Sequence, residues 1–254
     1  MLQTILNTAD ITRNDTVLEI GPGLGVLTRD LASRAGQLFT VELDASLAKM
    51  LCHSLGQTEN VTVVNDDILK INPAKLIGGG AGYSPNYKVV ANLPYYITSA
   101  VLRHLLEASL RPGVIIVMVQ KEVAQVISAA PGDMSLLSVS VQFYGKPEII
   151  SDVPAGAFLP PPEVDSAILK ITVYPEPAVS VPNKAAFFNL VRAGFSTARK
   201  QLANSLSRGL GIPKAEAISL LERARIDRTR RAETLTLKEW AELLQALNTP
   251  RGGG

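Results

Sequence analysis

The sequence predicts an α/β protein: a mostly parallel sheet with helices on both faces, an antiparallel hairpin at one edge, and a small all-helical C-terminal domain. Three observations carry this. Through the first two-thirds of the chain, short β-rich runs alternate with helical apolar patterns, and parallel strands need such crossovers to return to the same end of a sheet. The last two β-rich runs, Ser138–Tyr144 and Ser166–Tyr174, have no helix-length pattern between them, so they are expected to pair antiparallel. Beyond a linker punctuated by Pro175, Pro177 and Pro182, only helical patterns remain. The expected domains are therefore residues 1–174 and 175–254.

The elements follow in order. Thr16–Ile20 is β-rich and stops at Gly21-Pro22-Gly23, after which Leu24, Leu27 and Leu31 recur at helical spacing. Gln37–Leu43 is a second strand, and Asp44 stands where an N-cap opens the helix through Met50. Val61–Asn65 and Tyr87–Asn92 are the third and fourth strands, separated by a glycine-rich loop, Gly78–Gly82. Thr98 or Ser99 is expected to cap a helix carrying Val101, Leu102, Leu105 and Leu106. Val114–Gln120 is a continuous apolar run, the pattern of a strand covered on both faces, and a helix to about Ala130 follows it. In the C-terminal part, Gly211-Ile212-Pro213 breaks the chain, with Pro213 placed for a first helical turn. Thr236-Leu237-Lys238-Glu239 reads as a capping box opening a stripe of Trp240, Leu243, Leu244 and Leu247. The tail Arg251–Gly254 is expected to be mobile.

Composition narrows the function class. Of 254 residues, 46% are hydrophobic and 19% charged, which suits a globular chain and not a disordered one. No run is long and apolar enough to span a bilayer, no signal peptide is read at the start, and the lone Cys52 offers neither a disulfide nor a zinc cluster. A cytoplasmic protein is expected. The net charge of +2 divides unevenly: residues 1–174 hold 12 Lys/Arg and 16 Asp/Glu, and residues 175–254 hold 13 and 7. No acid lies between Glu176 and Glu216, where Lys184, Arg192, Arg199, Lys200, Arg208 and Lys214 fall. A basic segment on an acidic one suits a polyanion partner; a solvated helical surface would have the same composition.

Four features at successive strand ends could carry chemistry. Gly21, Gly23 and Gly25 have G-x-G-x-G spacing, which lets a backbone approach a ligand closely or makes a tight turn. Glu42 ends the second strand, where an acid can accept from both hydroxyls of a ribose. Asp67 follows the third strand, where a carboxylate can accept from an adenine amino group, with Leu43 and Ile68 to cover the two faces of that base. Each acid alone is equally a surface charge or a cap. In open α/β sheets, though, ligands bind at the carboxyl ends of the strands, where all of these lie. The fourth is Asn92-Leu93-Pro94-Tyr95. An exocyclic amino nitrogen is a poor nucleophile because its lone pair is delocalised into the ring. The Asn92 side-chain oxygen and the Pro94 carbonyl could accept its two N–H groups and favour a more tetrahedral nitrogen, with Tyr95 stacked on the base. A turn with Asn-Pro chemistry and a core tyrosine is the competing reading.

With these residues in view, the chain resembles the ribosomal RNA adenine N6-dimethyltransferases. Leu18–Thr28, Val41–Asp44, Asn65–Leu69 and Ala91–Ser99 resemble that family's motifs. So does Phe158–Ser166, whose phenylalanine in the family faces the target base. Phe187–Leu206 and Arg230–Leu235 resemble its helical C-terminal domain, and the resemblance runs from about Ile5 to Leu247. Asn92-Leu93-Pro94-Tyr95 and Arg231-Ala232-Glu233-Thr234-Leu235 favour the small-subunit branch, of KsgA/RsmA type. There are two departures. The family's usual Gly-Gln-Asn/His-Phe-Leu segment, which helps hold the methionine end of the donor, is not in this sequence, which starts inside the helix that follows it. The family's Phe-Ser-x-Arg-Arg-Lys run stands here as Phe195-Ser196-Thr197-Ala198-Arg199-Lys200, one arginine short.

The resemblance implies a Rossmann-like, class I S-adenosyl-L-methionine-dependent methyltransferase sheet in residues 1–174 and a basic rRNA-binding domain in 175–254. It implies Gly21, Gly23, Gly25, Glu42, Leu43, Asp67, Ile68 and Asn92 as donor-binding residues. Asn92, Pro94, Tyr95 and Phe158 would serve catalysis, and Arg192, Arg199, Lys200 and Arg208 would serve RNA. No metal is expected, since the donor carries its own leaving group. The expected substrate is small-subunit rRNA in a pre-30S particle, dimethylated at two adjacent adenosines near its 3′ end by a monomer. A large-subunit rRNA or DNA adenine methyltransferase, or a non-catalytic ribosome-assembly factor, are the alternatives.

Overall fold

A computed structural model describes residues 1–55, 58–78, 87–159, 161–197 and 199–248. The glycine loop after Gly78 and the Arg251–Gly254 tail lie outside the described residues, as does Ala198 of the basic motif. The chain forms two compact units, Met1–Gln125 with Gly145–Pro175, and Val126–Tyr144 with Glu176–Gly254.

The first unit runs α1 (Leu2–Ala9), β1 (Thr16–Ile20), α2 (Val26–Arg34), β2 (Gln37–Glu42), α3 (Ala45–Leu55), β3 (Val61–Asn65), α4 (Pro73–Gly78), β4 (Lys88–Asn92), α5 (Thr98–Glu107), β5 (Val114–Gln120) and the start of α6 (Lys121–Ile127). It is completed by β6 (Gly145–Val153) and β7 (Ser166–Val173). The seven strands lie in the order β3-β2-β1-β4-β5-β7-β6. The first five are parallel; β7 runs antiparallel to β5 and β6. Val17 and Leu38 project from β1 and β2, and Val90, Ile116 and Met118 from β4 and β5. All five pack with Ile5, Leu6 and Leu31 from the helices; burying each such side chain contributes about 1.5–3 kcal/mol. Asp44 caps α3 as expected, its Oδ1 accepting from Ser46 N at 2.8 Å and Leu47 N at 3.0 Å. The cap expected from Thr98 or Ser99 is absent: Thr98 is already helical and buried, with an unpartnered hydroxyl, and Ile97 holds the cap position without a side-chain bond.

The second unit holds α7 (Leu136–Gln142), α8 (Lys184–Gly194), α9 (Leu202–Leu210), α10 (Lys214–Arg223) and α11 (Leu237–Asn248). Here one strand expectation fails. The Ser138–Tyr144 run is mostly α7, and the edge hairpin is made instead by β6 with β7. The alternation Ser138-Val139-Ser140-Val141 has a strand's period, but the serines are satisfied helically. Ser135 and Ser138 form a reciprocal capping box, and the Ser140 hydroxyl donates to the Leu136 carbonyl at 2.7 Å. Val139 and Phe143, four residues apart, then share a buried face. Phe143 packs against Phe187 at 4.9 Å between ring centroids. Helices α8 and α9 touch backbone to backbone: a Cβ on Gly209 would stand 2.5 Å from the Ala193 Cα, so only glycine fits. The Thr236–Glu239 capping box forms, and Arg230 pairs with the Glu239 carboxylate. Trp240, Leu243 and Leu244 are buried, while Leu247 lies partly exposed at the end of the stripe. Among the described residues no helix is long and apolar enough to cross a membrane.

Candidate active site

From β1 the chain moves outward to β2 and β3, then returns on the other side as β4. The connections leaving the paired carboxyl ends of β1 and β4 therefore run apart, which opens a crevice in this class of sheet. The turn after β1 enters it with Gly21, Gly23 and Gly25 at φ +67°, +56° and +77°, left-handed conformations that disfavour any side chain. Gly21 N donates to the Val41 carbonyl at 3.0 Å, tying this turn to β2. Glu42, buried at the end of β2, closes the assembly: Oε2 accepts from Gly23 N at 3.1 Å and Oε1 from Asp44 N at 2.9 Å. Each oxygen keeps a lone pair for a further donor.

A cleft of about 630 Å³ opens here, lined by residues from all four strand ends, including Gly21, Glu42, Leu43, Asp67, Ile68 and Pro94. That volume suits a nucleoside-sized ligand. Ile68 is buried and forms its floor, whereas Leu43 is 67% exposed at the rim. Asp67 Oδ1 accepts from Leu69 N at 3.0 Å, which orients the carboxylate. Glu42, Asp44, Asp66 and Asp67 all line the cleft, so its field favours a cation. The charged sulfonium nucleoside S-adenosyl-L-methionine fits this donor set. Gly23, Gly25, Asn92, Tyr95 and Phe158 are not in the cleft wall.

At the end of β4, Asn92 is exposed and its side-chain amide makes no hydrogen bond to the described residues. Leu93 N donates to the Met118 carbonyl at 3.3 Å, anchoring the strand end. The Pro94 carbonyl accepts from Ile97 N at 3.1 Å and closes a 3-10 turn over Tyr95–Ile97, so one of its lone pairs is occupied. The Leu93 carbonyl, one residue earlier, takes no hydrogen bond from the described residues. The Tyr95 ring is half-buried and its hydroxyl lies 2.7 Å from Ser166 Oγ. Phe158 is half-buried against the core cluster, beside a Leu159 that is 98% exposed. Sequence reasoning passed over Tyr96, 84% exposed and lining the cleft, and Ser166, whose signal was only its place in a family motif. In the second unit, Arg192 lies in the last turn of α8, Arg208 lies on α9, and Arg199 and Lys200 stand between; all four are exposed.

Glu19 lies in β1, two residues before the glycine turn. Its side chain is 1% exposed, next to Thr28 and Thr40, and neither carboxylate oxygen has a partner in hydrogen-bonding geometry. Burial pushes its pKa up from 4.5 to about 7; the two threonine hydroxyls offset this in part and the charge of Glu42 adds to it. The unfolded chain therefore releases this proton first, and stability falls as pH rises from about 4.5 to about 7, by roughly 3 kcal/mol. Glu19→Gln removes the ionisation. Its unfolding midpoint is expected to match wild type near pH 4.5 and to pull ahead progressively up to pH 7. A constant offset across that range in thermal melts would contradict this.

The sequence profile described as "Ribosomal RNA adenine dimethylase" matches residues 1–245. The chain belongs to that family. It is 51% identical over 243 residues to the ribosomal RNA small subunit methyltransferase A of Dehalococcoides mccartyi, covering 96% of this chain and 82% of the relative. It is 43% identical over 253 residues to the protein of the same name from Moorella thermoacetica, covering 97% and 88%. Among solved structures it is similar to a dimethyladenosine transferase from Plasmodium falciparum (TM-score 0.80, 25% identity, 97% and 94% covered). It is also similar to the 23S rRNA methyltransferase ErmE (TM-score 0.70, 30% identity, 98% and 97% covered). Membership makes the sheet a class I methyltransferase sheet, S-adenosyl-L-methionine the methyl donor and rRNA the substrate.

Proposed function

We propose that this adenine dimethylase acts on small-subunit rRNA, methylating N6 of two adjacent adenosines near its 3′ end within a pre-30S particle, and that it works as a monomer. The observation that carries the chemistry is the free Asn92 amide at the carboxyl end of β4, next to a cleft walled by Glu42 and Asp67. The choice of subunit rests on relatives: those at 51% and 43% identity are named for the small subunit, the 23S enzyme stands at 30%.

Bound S-adenosyl-L-methionine supplies an electrophilic methyl on a sulfonium that departs as a neutral thioether, so no metal is called for. Glu42 would hold its ribose with the lone pairs left over from Gly23 and Asp44, and Asp67 would accept from its adenine amino group, with Ile68 beneath the base. The target adenosine must leave its stack, at a cost of a few kcal/mol that a stacking pocket offsets; Tyr95 and Phe158 would form that pocket. Asn92 Oδ1 would accept a hydrogen bond from one N6–H. The second N6–H would donate to the free lone pair of the Pro94 carbonyl or to the Leu93 carbonyl, which the turn leaves open. Orientation supplies most of the acceleration. The N6–methyl bond forms as the carbon–sulfur bond breaks, and the N6 proton passes to solvent. Arg192, Arg199, Lys200 and Arg208 would hold RNA phosphates, giving register without reading bases.

The test uses 30S particles whose rRNA lacks these methyl groups, incubated with the protein and donor, then digested for mass spectrometry. Dimethyladenosine at two adjacent 3′-terminal positions is expected. Methyl groups confined to 23S rRNA or to DNA would overturn the proposal.

A further inference from the structure

We infer that Ser166 is a positioning residue for methyl transfer: its hydroxyl holds the Tyr95 ring in the orientation that meets the target base. The inference rests on the reading of Tyr95 as a base-stacking residue. The two hydroxyls are 2.7 Å apart across 71 residues of chain. Ser166 is fully buried and opens β7, paired to Gln120 of β5 on one side and Val153 of β6 on the other. Its backbone is therefore held between two neighbouring strands. Tyr95 differs: it sits on a short turn past the last residue of β4, half-buried, and a tyrosine ring torsion is intrinsically broad. A hydrogen bond at the far end of the ring, added to the backbone at the near end, fixes the ring plane. The next residue back ties the loop that carries the other aromatic. Asp165 Oδ1 accepts from Ala155 N at 2.9 Å and its carbonyl accepts from Lys121 N at 3.0 Å, closing the loop that carries Phe158. Two consecutive residues at the head of β7 thus reach both segments proposed to flank the base, Ser166 at the Tyr95 hydroxyl and Asp165 at the backbone of the Phe158 loop.

A bond that only satisfied a buried hydroxyl would show in stability and not in RNA turnover. The test is a double-mutant cycle of Tyr95→Phe and Ser166→Ala on the full chain, measuring kcat/KM for undermethylated 30S particles, donor Kd and Tm. Each single variant is expected to lose about three- to tenfold in kcat/KM. The double should lose no more than either single, because both delete the same bond. Donor Kd and Tm should stay near wild type. Additive losses, or losses that follow Tm, would overturn the inference. So would wild-type rates for both singles; Tyr95→Ala then separates the causes. If Tyr95→Ala is strongly impaired, the stacking reading stands and only the role of Ser166 falls. If it too is at wild-type rate, the stacking reading itself is wrong. Should Ser166→Ala fold poorly, Tyr95→Phe removes the same bond from a turn residue, and its expected three- to tenfold loss decides the matter.

Discussion

Asn92→Ala is expected to lower kcat for methyl transfer roughly 10²–10³-fold, the scale seen when one preorganised polar group is removed from a developing charge. The reason lies in the nucleophile. An adenine N6 lone pair is committed to the ring until its protons are drawn out of the ring plane, and an acceptor at the Asn92 position does this. The structure gives that amide no competing work, because it bonds to none of the described residues. Donor Kd should change far less than kcat, since Asn92 is not part of the cleft wall. Asn92→Asp retains an acceptor oxygen and is expected to keep more activity than Asn92→Ala. Single-turnover rates with saturating donor check both; equal rates for Asn92→Ala and wild type would remove Asn92 from the mechanism.

The second large effect is expected at Glu42. Glu42→Gln is close to isosteric, yet both carboxylate oxygens accept backbone N–H groups, from Gly23 and from Asp44. An amide must turn its NH₂ toward one of them, and two donors then face each other. The glycine turn shifts and one ribose contact is lost. With hydrogen bonds to charged groups worth about 1.5–3 kcal/mol, donor Kd should weaken roughly 10²-fold. Isothermal calorimetry with S-adenosylmethionine measures this, and a Kd within threefold of wild type would sink it.

The parallel strands were legible because each is a short β-rich run set between helical patterns, and Val114–Gln120 because its apolar content matches a strand covered on both faces. Glu42, Asp67 and Asn92 were legible as a group, since each falls where its strand ends. What misled was Ser138–Tyr144, where a Ser/Val alternation fits two periods and the capping box at Ser135 decides for helix. The division into units was similarly hidden, because Val126–Tyr144 joins Glu176–Gly254 through packing and not through sequence order.

The sequence by itself determined where the parallel strands end and which polar residues stand there, since both follow from local periodicity and residue type. It also determined the basic character of the C-terminal part. Only the tertiary structure decided that Glu19 is buried and that Tyr95 meets Ser166. Burial arises when separate segments pack together, and long-range hydrogen bonds form between groups the chain keeps far apart. No local pattern records either.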